Sequence, residues 1–457
     1  MTGTERDRAV VLGASVAGLL AARVLADFYA EVVVVDRDPL GPGTGPRRGT
    51  PQAHHLHGLL ARGHQVLEEL LPGLTSELVG AGAPVGDMLA DTRLSFGGHR
   101  FLQGTSGLTA VCVSRPTLES TIRRRVMSFA RVRLLGGRDV LGLVTASDGR
   151  RVVGAKVIGR ADGSAEERLD ADLVVDATGR GSRLPGWLEA AGYPAPLRER
   201  VAVRVGYASR QYRLASGALG SDLVIVSAPT PERPRGGALS LIEGGRCLVT
   251  LMGVLGDHPP TDPPGFERFA ADLALGDVRE VLRDAQPLDE PVGFRYPASV
   301  RTRYDRLRRF PDGLVVIGDA ICSLNPIYGQ GMTVAALEAV ALGRHLADGR
   351  ALSARGYARD AGRVSGLAWD LATTADLAFP EVEGRRTVAG RVLGRYVARI
   401  QAGAAHDARL GTAFLRVTSM VDPPQSLFAP SVVARTMAAK DGPGSRERRV
   451  EAPTRHP

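Results

Sequence analysis

The residues of this 457-residue chain whose types and spacing suit chemistry fall into groups far apart in the sequence. The first is Gly13-Ala14-Ser15-Val16-Ala17-Gly18, with Asp36 and Arg37 closing a valine run downstream. Glycine at 13 permits a tight turn, and glycine at 18 lets a helix pack closely on a strand. The amides of the helix start then face outward, as a pyrophosphate requires. Ser15 stands where a third glycine is usual; it is still small, and its hydroxyl can donate to phosphate. Asp36 falls where an acid accepts ribose hydroxyls. The second group, Asp176-Ala177-Thr178-Gly179-Arg180-Gly181, puts an acid before a small-residue turn that a ligand can approach closely. The third is Gly318-Asp319-Ala320, running on to Asn325-Pro326-Ile327-Tyr328-Gly329-Gln330-Gly331-Met332. Here an acid ends a buried strand, two glycines let the chain pass a flat ligand, and a helix starting near Met332 aims its positive end at that ligand. Arg115, in Val113-Ser114-Arg115-Pro116, carries a planar fork suited to a pyrophosphate; the plainer reading is a surface arginine at a helix cap. His54, His55 and His57 either transfer protons or bond backbone.

These groups need a scaffold. Residues 9–36 read as strand, glycine turn, helix over Leu19 to Asp27, and strand, the pattern of a βαβ unit in a parallel sheet. From Val201 to Gly253 the texture changes to β-type runs, Val201–Val205, Leu223–Val226 and Cys247–Leu251, separated by Gly and Pro, which predicts an antiparallel sheet. The prolines between His258 and Pro264 mark a loop, and Phe266 to Asp284 has helical periodicity. Beyond Gly331 the pattern is helical to about Ala439, and 441–457 is charged, Pro-bearing and expected to be disordered. The fold class expected is α/β. A Rossmann-like nucleotide domain is assembled from 1–75, 105–185 and 290–345, a substrate domain from 76–104 and 186–289, and a helical region follows over 346–440.

Composition narrows the partners. The formal charge of +9 comes almost wholly from arginine, since Lys156 and Lys440 are the only lysines, and the arginines are interspersed with acids. A nucleic-acid surface is not expected. Cys112, Cys247 and Cys322 form no CxxC pair, which argues against a disulfide framework and a metal site and suits a reducing cytoplasm. Residues 9–26 look like a signal peptide, but Gly13, Ser15, Gly18 and Arg23 break the apolar run. No stretch approaches the roughly 18 apolar residues needed to cross a bilayer.

The stretch from Asp170 to Arg183 resembles the strand and turn that flavoprotein monooxygenases place beneath their cofactor. The stretch from Asp312 to Met332 resembles their GD motif and flavin-facing loop, and Arg115 the helix-start arginine that contacts the cofactor. Gly49 to His57 is similar to the loop after the second strand, where polyether epoxidases tend to carry arginine at the place of His54. The likeness spans roughly Arg8 to Met332, with a looser one at Val421–Pro424 and Phe428–Pro430. It implies FAD, held by Gly13, Ser15, Val16, Ala17, Gly18, Asp36, Arg37, Arg115, Asp176, Gly179, Asp319, Pro326, Gly329, Gly331 and Met332, with His55 and His57 as candidate catalytic groups. Within the superfamily the chain most resembles polyketide-tailoring enzymes: the polyether epoxidases and the flavin-dependent dialkyldecalin synthase of pyrroindomycin formation. The first likeness implies reduction by NAD(P)H, a flavin C4a-hydroperoxide, and epoxidation or hydroxylation of a large apolar substrate. The second implies FAD as a structural element in a non-redox [4+2] cyclase acting on a linear polyene. Both need the same flavin segments, and neither needs an identifiable catalytic side chain.

Overall fold

The computed structural model describes residues 6–41, 45, 47–273, 277–348 and 351–439, so the expectation for 441–457 lies outside the described residues. Elements that position the site are numbered here in chain order. Strand β1 (Arg6–Leu12), helix α1 (Val16–Leu25) and strand β2 (Tyr29–Val35) form the opening unit. The helix begins at Val16 rather than Leu19, because the Ser15 carbonyl already accepts the Leu19 amide at 2.9 Å. Then come β3 (Thr92–Phe96), α2 (Arg115–Met127), β4 (Val132–Leu135) and β5 (Leu173–Asp176). The middle of the chain supplies β6 (Val205–Arg213), β7 (Val224–Ser227), β8 (Arg235–Ile242), β9 (Arg246–Gly253), β10 (Val292–Tyr296) and β11 (Leu314–Val316). Helices α3 (Gly331–Ala347), α4 (Ala354–Asp376), α5 (Val388–Ala404), α6 (Ala408–Thr418) and α7 (Pro430–Ala438) follow.

The first sheet runs β11-β5-β1-β2-β4, and each neighbouring pair is parallel. Its valines are buried, as strands covered on both faces require. Leu12 lies beside both Val35 and Asp176, and Asp176 beside Val316, so the three strand ends are level. Their loops therefore leave from one carboxyl edge of the sheet, where open α/β sheets bind ligands.

The second sheet runs β6-β9-β8-β7-β3, with β10 pairing β6 on its other side. It is antiparallel, as the sequence pattern predicts, except that β3 arrives from a remote segment and lies parallel to β7. Strand β8 was not among the β-type runs of the sequence, since Gly236 and Gly237 at its start mask the pattern. Helical structure after the prolines falls into Pro263–Ala271 and Asp277–Leu282. The first starts ahead of Phe266 because the Asp262 carboxylate caps it, accepting the Gly265 amide at 2.8 Å.

One core fills the parallel sheet and its helices, and a second lies between the antiparallel sheet and Pro263–Leu282. A third forms where α5 and α6 pack on Leu89, Leu94, Phe101 and Leu108. The architecture is thus α/β, with a parallel sheet, an antiparallel sheet and C-terminal helices. No described helix is long and apolar enough to cross a membrane.

Candidate functional site

The three remote groups meet at the carboxyl edge of the parallel sheet. Gly13 turns the chain at φ +104°, and a Cβ there would lie 2.5 Å from the Ala177 carbonyl oxygen. A Cβ at Gly318 would lie 2.8 Å from the Ala17 Cβ, and one at Gly179 would lie 4.0 Å from the Asp319 Cβ. The first group thus touches the second and the third, and these two touch each other. Gly18 has the packing role its position suggested: a Cβ there would sit 1.8 Å from the Gly13 carbonyl oxygen. Val16 and Ala17 form the first turn of α1, whose amides lack partners within the helix. Gly329 brings in the histidine stretch, since a Cβ there would be 3.4 Å from the Gly58 carbonyl oxygen. Pro326 is exposed, Gly331 opens α3, and Met332 is buried behind it.

The acids of the three groups have different surroundings. Asp36 is buried; its Oδ2 accepts the Ala14 amide at 2.7 Å and its Oδ1 the Asp38 amide at 2.9 Å. Asp176 is fully buried and accepts from the Thr178 amide and from the Thr178 and Ser182 hydroxyls, so it organises its own turn. Asp319 is open to solvent, yet protein encloses it at longer range, and this desolvation raises its pKa. His57 and Tyr328 share that combination of accessible atoms and surrounding protein. The charge of Arg115 reaches both Asp319 and His57.

Arg115 is buried in a charge cluster rather than lying at the surface. It donates to Ser15 Oγ at 3.0 Å and to Glu119 Oε2 at 3.3 Å, and Ser15 donates to that same oxygen at 2.9 Å. The Ser15 hydroxyl is therefore engaged with α2. Arg47 completes the cluster, bonding Glu119 at 2.5 Å, Asp38 at 3.1 Å, Asp36 at 3.3 Å and the Ala14 carbonyl at 3.4 Å. Burial alone would lower the Arg47 pKa, but Glu119, Asp36 and Asp38 hold it above its ordinary value. Arg47 and Glu119 escaped the sequence reading. The available signal was the four-residue spacing of Arg115, Glu119 and Arg123, which puts all three on one helix face. Arg37, by contrast, is exposed at the end of β2.

His55 faces the antiparallel sheet. Its Nδ1 is 2.7 Å from Ser209 Oγ, which is 2.6 Å from Thr250 Oγ1, and Thr250 accepts the Leu56 amide at 2.9 Å. The two hydroxyls can relay in either direction, so the chain accommodates either neutral tautomer of His55. The buried Nε2 has no protein partner, and the imidazole centroid lies 5.7 Å from that of Tyr207 and 5.6 Å from that of Phe294. Burial, with some repulsion from His54, lowers the His55 pKa to about 4. His57, whose Nδ1 is 2.9 Å from the His55 carbonyl oxygen, is lowered to about 3 by burial and by Arg115. Both rings are neutral at pH 7. Tyr207, Ser209 and Thr250 all lie on the face of the sheet towards His55. Alternation along β6 and β9 sends them to one face while Ala208 and Val249 turn into the second core, and composition does not register this. Among the described residues no group of three or more His, Cys, Asp and Glu is placed to hold a metal ion.

The chain matches no protein-family model. It is 40% identical over 355 residues to Protein Rv3254 of Mycobacterium tuberculosis, covering 75% of this chain and 74% of the relative. It is 26% identical over 354 residues to a kynurenine 3-monooxygenase of Salinispora arenicola, covering 74% and 72%. Among solved structures, the flavin-dependent brominase Bmp2 superposes with a TM-score of 0.64 at 17% identity, over 90% of this chain and 98% of that one. At that identity the likeness establishes the fold, which is that of flavin-dependent monooxygenases and halogenases.

Proposed function

The chain belongs to the family of Mycobacterium tuberculosis Protein Rv3254, and on that footing we propose that it is an FAD-dependent monooxygenase of specialised metabolism. The observation that carries the reading is the level ending of β1, β5 and β11, which brings Gly13, Gly179 and Asp319 to one place. The residues there fit the cofactor. The start of α1, with Arg115 and Arg47, takes the pyrophosphate. Asp36 Oδ2 keeps a lone pair for a ribose hydroxyl beside the bond from Ala14. Asp319, open to solvent beside Gly179, accepts a ribityl hydroxyl. The loop Asn325–Gly331 passes the ring, and α3 presents its positive end to the pyrimidine edge. When bound, FAD supplies oxygen activation after reduction by NAD(P)H. His55 and His57 stay neutral at pH 7 beside it. The β6–β9 face bounds the substrate, a large and mainly apolar molecule of polyketide type. The relative named as a kynurenine 3-monooxygenase supports oxygenation over cyclisation. The three free, buried cysteines fit a cytoplasmic setting.

The test is anaerobic mixing of purified holoprotein with NADH or NADPH, with and without candidate substrates. Bleaching of the flavin, followed by oxygenated product once air is admitted, supports the reading. Turnover with flavin that stays oxidised would move it to the cyclase. A colourless protein that refuses added FAD would end both.

A further inference from the structure

We propose that Asp376 is a positioning residue that ties the end of helix α4 to the loop Asn325–Gly331, so that the C-terminal helices set where this loop stands. The importance of that position rests on the reading of the loop as the flavin-facing one. Asp376 is the last residue of α4 and is 1% exposed. Its Oδ1 accepts from the Asn325 side-chain amide at 2.8 Å and from the Tyr328 hydroxyl at 2.8 Å. Asn325 caps the turn Pro326–Tyr328, its own side-chain oxygen accepting the Ile327 amide at 3.2 Å. A single carboxylate oxygen thus holds both ends of one turn. Helix α4 packs on α3 and β11, so it shares the base from which the loop departs.

An acid is an expensive choice at this place. It is buried, and it stands at a helix C-terminus, where the dipole disfavours negative charge. Burial pushes its pKa up to about 6, against the downward pull of Asn325 and Tyr328. Tyr207 of β6 also lies within reach of its charge, and Oδ2 has no protein partner. A small neutral side chain would avoid these costs, so what the acid adds is the pair of bonds to the loop. Because both bonds go to one oxygen, asparagine can keep them and alanine cannot.

The test is hydrogen exchange by mass spectrometry on wild type, D376A and D376N, each with and without added FAD. The expected result in D376A is exchange about tenfold faster or more in the peptide spanning 325–332, the scale set by losing hydrogen bonds to a charged group. Peptides from α1 and β6 stay at wild-type rates, and D376N returns the loop to within about twofold of wild type. FAD is released faster from D376A than from D376N. Unchanged loop exchange in D376A, an increase spread over the whole chain, or D376N behaving like D376A would each overturn the proposal. Exchange without FAD decides the clamp even if wild type binds no flavin, an outcome that would count against the functional reading instead.

Discussion

Arg47 serves three carboxylates from a position that is almost wholly buried, which makes it the most consequential single side chain near the site. Arg47→Ala strands Asp36, Asp38 and Glu119 without their shared cation, and breaking a buried pair in this way costs about 3–5 kcal/mol. The expected outcome is that loss in urea unfolding, with weakened FAD binding by fluorescence titration. Arg47→Lys does not restore it, because one ammonium cannot reproduce the planar fork. His55 gives a pH signature. Its folded pKa of about 4 lies below the ordinary 6.5, so between these values the unfolded chain binds a proton that the native chain does not. Stability therefore falls as pH drops from 6.5 towards 4, by up to about 3 kcal/mol from this ring. Unfolding midpoints at pH 7 and pH 4.5 should differ less in His55→Asn than in wild type; equal sensitivity would show that the ring is not buried neutral.

At the scale of elements, the contact between β1 and α1 is the tightest in the site. A methyl group at Gly18 would meet the Gly13 carbonyl at 1.8 Å, and backbone cannot yield as a flexible side chain can. Gly18→Ala should lift the helix from the strand, cost about 1–3 kcal/mol or more as overpacking does, and yield protein purified without flavin colour. Gly41→Ala, where a Cβ meets nothing within 4 Å, should match wild type in both measurements. The opening βαβ unit was legible because its period and its glycines agree. Strand β8 was not, since Gly236 and Gly237 follow its first residue and its place is set by pairing with β7 and β9.

For the whole molecule, the C-terminal helices do more than end the chain. Helices α5 and α6 cover Leu89, Leu94, Phe101 and Leu108 beside β3. Ending the chain after Arg386 should expose that apolar surface. The expected outcome is strong binding of a hydrophobic dye such as ANS and association of the truncated protein by light scattering. A dye-silent, unassociated truncated protein would show that the third core is dispensable.

The amino-acid sequence alone determined the α/β class, the glycine turn and the order of the three groups, because these follow from local period and backbone sterics. The tertiary structure alone decided what each acid does. Asp176 bonds its own turn, Asp36 bonds Asp38 and reaches back to Ala14, Asp319 stands open to solvent, and Glu119 and Asp376 acquire partners from distant elements. All five are carboxylates, four aspartates and one glutamate. Which donors reach each depends on strand register and helix packing, and these bring together residues as far apart in the sequence as Asn325 and Asp376, or Arg47 and Glu119.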